Sequence, residues 1–404
     1  MTIRKKSNKL RLINFVKVLG LDENKEILIV DGVVTSKEQA GKINDFVVID
    51  SVDCIISPGF VDPQVNGFEN CNFWAVPPPS FNQIDDLRLK LALHGIVAFC
   101  PTIITASTEK TLQSIDYINS YIKQASNDAG ARILGIHVEG IFITKYGVHN
   151  DKYAQKDLSV KKIEPFVKDN VILFTLAPEL DQTGDAIRFL QKSNILVSVG
   201  HSNATYQEGI IAIEKYGLKT VTHMFNCLRG VEGFSHRRID NGSSNLEILK
   251  LKLDNDKNIV PHRDGIMLAL LKNKNVLCMV ISDGVHVSKD VIKFLRDYKD
   301  KAHFALTSDM VASDFFDASK SEGFLGGGQI IMDQCVLNLV NWKVSNLEDS
   351  LTCASKPIAN QLRVAKQLGL GEICLGKEAN IVLWNTKKNA VKGTIIGENV
   401  FLNY

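Results

Sequence analysis

The sequence predicts an α/β protein: a (β/α)8 TIM-type barrel with a small β-sandwich domain built from both chain termini. Three observations carry that expectation. Eight short apolar runs rich in β-branched residues alternate with longer helix-like stretches through the middle of the chain, and eight parallel strands are what such a barrel needs. Strand-like runs also occupy the two ends, where neither set alone has enough strands for a stable sheet, so the termini are expected to meet. At 404 residues and 45% apolar content, the chain has room for a large core and a smaller one.

The N-terminal strand candidates are LRLINFVKV, EILIVDGVV and DFVVIDSVD; the C-terminal ones are ANIVLWN, VKGTIIG and VFLNY. Barrel candidates run CIISPGFVD, IVAFCPTI, ILGIHVE, VILFTLAPE, ILVSVGH, TVTHMF, VLCMVISD and FALTSDM. Helix-like stretches between them include Gln83 to His94, Thr108 to Lys123, Gln182 to Ser193 and Ser288 to Tyr298. The expected units are residues 1–57 for the first part of the β-domain, 58–373 for the barrel and 374–404 for the second part. An open doubly wound sheet would bring an early Gly-rich phosphate fingerprint, and none is present. The run LGGG, Leu325 to Gly328, sits between two strand-like runs and reads as a turn. One connection breaks the rhythm: Arg229 to Pro261 is far longer than usual, and reads either as a functional lid or as an excursion.

Composition removes several classes of function. Lys and Arg total 47 against 45 Asp and Glu, so the chain has no electrostatic footprint for nucleic acid or an anionic membrane. No run of about 18 apolar residues is present to span a bilayer. Arg11 and Lys17 interrupt the apolar part of the N-terminus, which makes a poor signal-peptide core. Cys54, Cys71, Cys100, Cys227, Cys278, Cys335, Cys353 and Cys374 form no C-x-x-C pair, the pattern of reduced, buried thiols in a cytoplasmic protein.

Polar residues collect at the C-terminal ends of the barrel candidates, where this architecture keeps its active sites. They are Asp62, Gln64 and Asn66; His137 and Glu139; His201; His223; Asp283 and His286; and Asp309. Glu139, His201 and His223 offer one carboxylate and two imidazoles from three strands, the ligand chemistry of a catalytic divalent metal with a position left for water. Neutral amides are poor zinc ligands, so Gln64 and Asn66 argue against a second metal. Asp309 reads either as a helix N-cap or as a general base. His286 reads as a turn residue or as a group that polarises a substrate carbonyl, and Asp283, in an Asp-Gly pair, as a turn former.

The ordered series PGFVDPQVNG (58–67), FCPTIIT (99–105), HVEG (137–140), GHS-AT (200–205), THMFN (222–226), SDGVHV (282–287), TSDMVA (307–312) and the later GKEANIVLWN resembles the N-acetylglucosamine-6-phosphate deacetylases of the amidohydrolase superfamily. The resemblance implies one divalent ion, Zn2+ or alternatively Fe2+, held by Glu139, His201 and His223, with Asp309 as catalytic base. It implies that His286 contacts the substrate and helps stabilise the oxyanion. It places Gln64 and Asn66, in the family's Q-x-N variant of H-x-H, with His149, Asn226, His262 and Arg263 on the substrate side. Arg237 or Arg238, in SHRR, is an alternative phosphate contact. The implied activity is removal of acetate from N-acetylglucosamine 6-phosphate by a homodimer. The alternatives are another amino sugar phosphate, such as N-acetylgalactosamine 6-phosphate, or a non-catalytic scaffold that binds a partner through the excursion.

Overall fold

The computed structural model describes residues 2–21, 26–41, 43–145, 147–235, 245–312 and 326–403. Eight parallel strands form the barrel: β1 (Phe60–Val65), β2 (Ile96–Ile103), β3 (Ile136–Glu139), β4 (Val171–Leu176), β5 (Leu196–Val199), β6 (Thr220–Val221), β7 (Leu277–Val280) and β8 (Phe304–Leu306). Each pairs with the next in sequence order. Every residue of β1, β2, β3 and β7 is buried. Helices cover the outer face of a parallel sheet, which is why these runs read as continuously apolar rather than alternating. The helices Phe81–Leu93, Thr108–Gln124, Asp185–Lys192 and Lys289–Tyr298 lie within or close to the four helix-like stretches. A capping box starts the first of them: Ser80 accepts from Gln83 N, and the Gln83 side chain accepts from Ser80 N.

One barrel candidate divides in two. Cys54–Pro58 pairs antiparallel with Asn380–Asn385, and only Phe60–Val65 enters the barrel. Gly59 is the joint, because a Cβ there would stand 2.1 Å from the Val97 side chain. The terminal strands build two sheets. One runs in the order Thr2–Lys6, Asn399–Asn403, Ala390–Ile396, Asn380–Asn385, Cys54–Pro58, Lys17–Val18. The other runs Val33–Thr35, Glu26–Val30, Lys9–Ile13, Val47–Asp50. Leu10, Ile27 and Ile29 from one sheet pack with Ile56, Ile381 and Ile395 from the other, away from the barrel core.

The barrel closes differently at its seam. Among the described residues no ladder joins β8 to β1. Val65 and Met310 form a single parallel bridge, and Met310 O accepts from Asn66 N at 2.9 Å. The fully buried Asp62 carboxylate accepts from the Ser308 hydroxyl, Ser308 N and the Thr307 hydroxyl. Burial pushes the Asp62 carboxyl up to about 6, against these bonds. The seam thereby fixes the Gln64-x-Asn66 end of β1 against the segment that carries Asp309.

Arg132 ties the barrel to the terminal sheets with two bonds to Glu378, at 2.7 and 2.8 Å. Burial works against the Glu378 charge, but the Arg132 bonds outweigh it and hold the carboxyl below its ordinary 4.5. A carboxylate depressed on folding adds stability above its unfolded value and loses it as pH falls through the folded one. Arg132→Met should therefore cost on the order of 1 kcal/mol at pH 7 after solvent screening. That difference should shrink as the pH is taken below 4.5, which urea unfolding of both proteins across pH measures.

Between β6 and β7 the long connection carries α1 (Leu246–Asp254) and α2 (Ile266–Lys272). Leu249 and Leu253 of α1 are buried. Arg237 and Arg238 lie outside the described residues.

Candidate active site

Glu139 is the last residue of β3, while His201 and His223 each stand two residues past the ends of β5 and β6. Asp309 follows β8 by three. His201 (φ 51°), His223 (φ 32°) and Asp309 (φ 49°) all sit in the left-handed region. Such strain in non-glycine residues gathers at functional sites, where the surrounding packing holds it. His137 shares the inward face of β3 with Glu139, two residues on. It is bonded to the Thr175 and Thr102 hydroxyls, and burial pushes it down to about 4, so it lies neutral in the barrel interior.

The three candidate ligands meet. Glu139, His201 and His223 are buried, and one ligand atom from each lies within 4.8 Å of the others. Glu139 Oε1 is 2.9 Å from His223 Nε2 and 3.5 Å from His201 Nε2. Gln64 Nε2 donates to the other oxygen, Oε2, at 2.9 Å. Burial opposes the Glu139 charge, yet the two imidazoles outweigh it and hold the carboxyl well below its ordinary value. His201 Nδ1 lies 2.8 Å from Lys145 O, and a carbonyl only accepts, so Nδ1 carries the proton. Burial works against a second proton, yet Cys227 and Glu139 outweigh it and hold the ring well above its ordinary value, so Nε2 faces the carboxylate oxygen as a donor. A cation at that point would take the second proton's place, and two imidazoles with one carboxylate, their ligand atoms within 4.8 Å of one another, are a set that Zn2+ or Fe2+ accepts.

Around this cluster the cavity brings together most of the remaining residues. Asn66 Nδ2 donates to Asp309 Oδ1 at 2.7 Å, which leaves Oδ2 for other work. Burial first, and then the neighbouring Glu139 charge, push the Asp309 carboxyl up to about 8. A cation at the cluster would offset the second contribution. The His286 ring is fixed by Asp283, whose Oδ2 lies 2.7 Å from Nδ1, and its buried Nε2 has no protein partner among the described residues. His149 Nδ1 accepts from Thr105 N and lies 2.7 Å from the Thr105 hydroxyl, so its Nε2 carries the hydrogen. Burial and the positive charge of His201 push His149 down to about 3. Asn226 also lines the cavity, with a buried Oδ1 that has no partner among the described residues.

His262 and Arg263 are not brought to the cavity; both are exposed. Nor do the described residues of the excursion line it, so they do not act there as a lid. Gln64 and Asn66 are each committed to a carboxylate, Glu139 and Asp309 respectively.

Two features escape a sequence-only reading. Asp283 is a turn former, since its Oδ1 accepts from Val285 N and His286 N, but it also orients His286. The three-residue spacing was the available signal. Gly327 and Gly328, read as a turn, line or abut the site. A Cβ on Gly328 would stand 2.1 Å from Ser308 O, and Gly328 N donates to Asp309 O at 2.7 Å. Only glycine lets that segment approach so closely.

Comparison with known proteins agrees with this fold. An N-acetylglucosamine-6-phosphate deacetylase of Caenorhabditis elegans is 29% identical over 391 residues, covering 88% of this chain and 85% of that one. One of Mus musculus is 26% identical, covering 86% and 85%. The crystal structure of N-acetylglucosamine-6-phosphate deacetylase from Pasteurella multocida superposes with a TM-score of 0.79 at 22% identity, over 98% of this chain and all of that one. Residues 55–400 match the amidohydrolase family as a whole. With its parallel barrel, its terminal sheets and its Glu-His-His cluster, this chain belongs to the amidohydrolase family.

Proposed function

We propose that this protein hydrolyses the N-acetyl group of N-acetylglucosamine 6-phosphate, giving glucosamine 6-phosphate and acetate. The observation that carries the proposal is the meeting of the Glu139, His201 and His223 cluster with Asp309 and the Asp283–His286 pair in one cavity. The substrate is taken from the relatives, which bear that name across most of both chains. A non-catalytic scaffold would be expected to have lost ligands or the strand-end carboxylate, and all four groups stand in place.

Glu139, His201 and His223 would hold one divalent ion, Zn2+ or Fe2+. When bound, it acts as a Lewis acid that polarises the acetyl carbonyl and makes water more acidic. Asp309, aimed by Asn66, takes the proton from the attacking water and returns it to the amine nitrogen as the C–N bond breaks. Asp283 accepts from His286 Nδ1, so Nε2 is left to accept from a sugar hydroxyl in the neutral ring and to donate to the acetyl oxygen when the ring is doubly protonated. Gln64 holds Glu139 from behind, fixing which carboxylate oxygen faces the imidazoles.

Acetate release from N-acetylglucosamine 6-phosphate by zinc-supplemented protein, with N-acetylglucosamine as control, is the test. Turnover confined to the phosphorylated sugar is expected. Absence of turnover with metal bound would send the assignment to another acylated substrate of the same site. The same proposal includes a homodimer in the cytoplasm; the eight cysteines, all free, support a reducing compartment. No helix among the described residues is long and apolar enough to cross a membrane.

A further inference from the structure

The ring of His201 is set by a segment outside the Glu-His-His cluster. Thr144 N and Lys145 N both donate to His201 O at 2.9 Å, and Lys145 O accepts from His201 Nδ1 at 2.8 Å. Residues 144–145 thus grip both the backbone and the ring of one residue, whose left-handed φ of 51° persists only where its surroundings hold it. A shift of that segment swings His201 Nε2 relative to the Glu139 oxygen 3.5 Å away.

Glu179 ties the segment down. It stands three residues past β4, is half-buried and does not line the cavity. Its Oε1 accepts from the Thr144 hydroxyl and, at 2.8 Å, from Asn203 N; its Oε2 accepts from the Ser202 hydroxyl at 2.7 Å. The Thr144 hydroxyl in turn accepts from Asn203 N at 2.9 Å, and Thr144 O accepts from Asn203 Nδ2 at 2.7 Å. One carboxylate on the β4 loop therefore joins the β3 loop, which carries the acceptor for the imidazole, to the β5 loop, which carries the imidazole itself. All three of its donors are neutral, and bonds to an ionised acceptor are roughly twice as strong as those between neutral groups.

We infer that Glu179 is a positioning residue for the metal ligand His201, acting through Thr144 and Ser202 on the two loops whose contact orients the ring. This rests on the reading of Glu139, His201 and His223 as a cation site, and not on which sugar is turned over. Asp181 supplies a contrast on the same loop. It is 2% exposed, and its carboxylate accepts from Gly184 N and Ile187 N at 2.9 Å each, at the start of the helix Asp185–Lys192.

The test compares wild type, Glu179→Gln, Thr144→Val, Thr144→Ser and Asp181→Asn as full chains. Zn2+ affinity is read by competition against a chelator, ligand geometry by the visible absorption of the Co2+-loaded protein, and stability by urea unfolding of the metal-free protein. Glu179→Gln and Thr144→Val should each weaken Zn2+ binding by about tenfold, the lower end for a group that orients a metal ligand, and should shift the Co2+ spectrum. Thr144→Ser keeps the hydroxyl and should bind Zn2+ within about twofold of wild type. Asp181→Asn should lose stability while affinity and spectrum stay at wild-type values. Should Glu179→Gln not fold, Thr144→Val, which removes the hydroxyl at nearly constant shape, carries the same comparison. Unchanged affinity and spectrum in both, or a loss in Asp181→Asn as large as theirs, overturns the positioning role. Failure of Thr144→Ser to restore binding overturns it as well, because the hydroxyl is then not what holds the ring. If wild type binds neither metal, the cation-site reading itself fails and the role of Glu179 falls with it.

Discussion

Asp309→Asn should lower kcat on N-acetylglucosamine 6-phosphate by about 10^3-fold or more, the range expected for loss of a positioned acid–base group. Metal content should stay at the wild-type level, because the Asp309 carboxylate is not among the three clustered ligand groups. The geometry makes the substitution clean. Asn has the same shape, the residue is only 7% exposed, and Asn66 remains to hold one side of the new amide. What is lost is a group that can accept a proton from water and give it to the leaving nitrogen. Stopped-time acetate assays alongside elemental analysis read both quantities, and near-normal turnover would remove Asp309 from the chemistry.

Glu139→Gln should lower metal affinity by more than about 100-fold, a larger loss than changing a supporting residue outside the ligand set. The amide keeps the volume but removes the charge that both imidazoles face at 2.9 and 3.5 Å. Gln64→Leu supplies the graded comparison. It deletes only the bond to Glu139 Oε2, and should cost about 10–100-fold in affinity. Competition against a chelator orders the three proteins. If Glu139→Gln binds metal as wild type does, the cluster is a buried hydrogen-bond network and nothing more.

The legible part of the site was its chemistry by strand. Each of Glu139, His201, His223 and Asp309 follows an apolar β-branched run, and a parallel barrel places all such ends on one rim. The Asp283–His286 pair was half legible: the Asp-Gly turn could be read, but the ring contact needed the turn folded back on itself. The commitments of Gln64 to Glu139 and of Asn66 to Asp309 were not legible, because their partners lie 75 and 243 residues away. Nothing local in either amide names its acceptor. The seam is similar. Asp62 looks like one more polar strand-end residue, and becomes the closure of the barrel only because β8 and β1 lack a ladder among the described residues.

The role of Arg229 to Pro261 also had to wait for the fold. From charge and length it could equally cover the cavity or leave it alone. The described part leaves the cavity open and, through Lys252 and Asp264, grips the turn beyond it.

By itself, the sequence determined the barrel, the joining of the two termini and the identities of the cluster, since periodicity, strand count and ligand chemistry are local properties that survive without coordinates. The tertiary structure alone decided which oxygen of Glu139 faces the imidazoles, which nitrogen of His201 donates to Lys145 O, and that His262 and Arg263 stand outside the cavity. Those are matters of orientation, set by hydrogen-bond partners that packing brings together from distant parts of the chain.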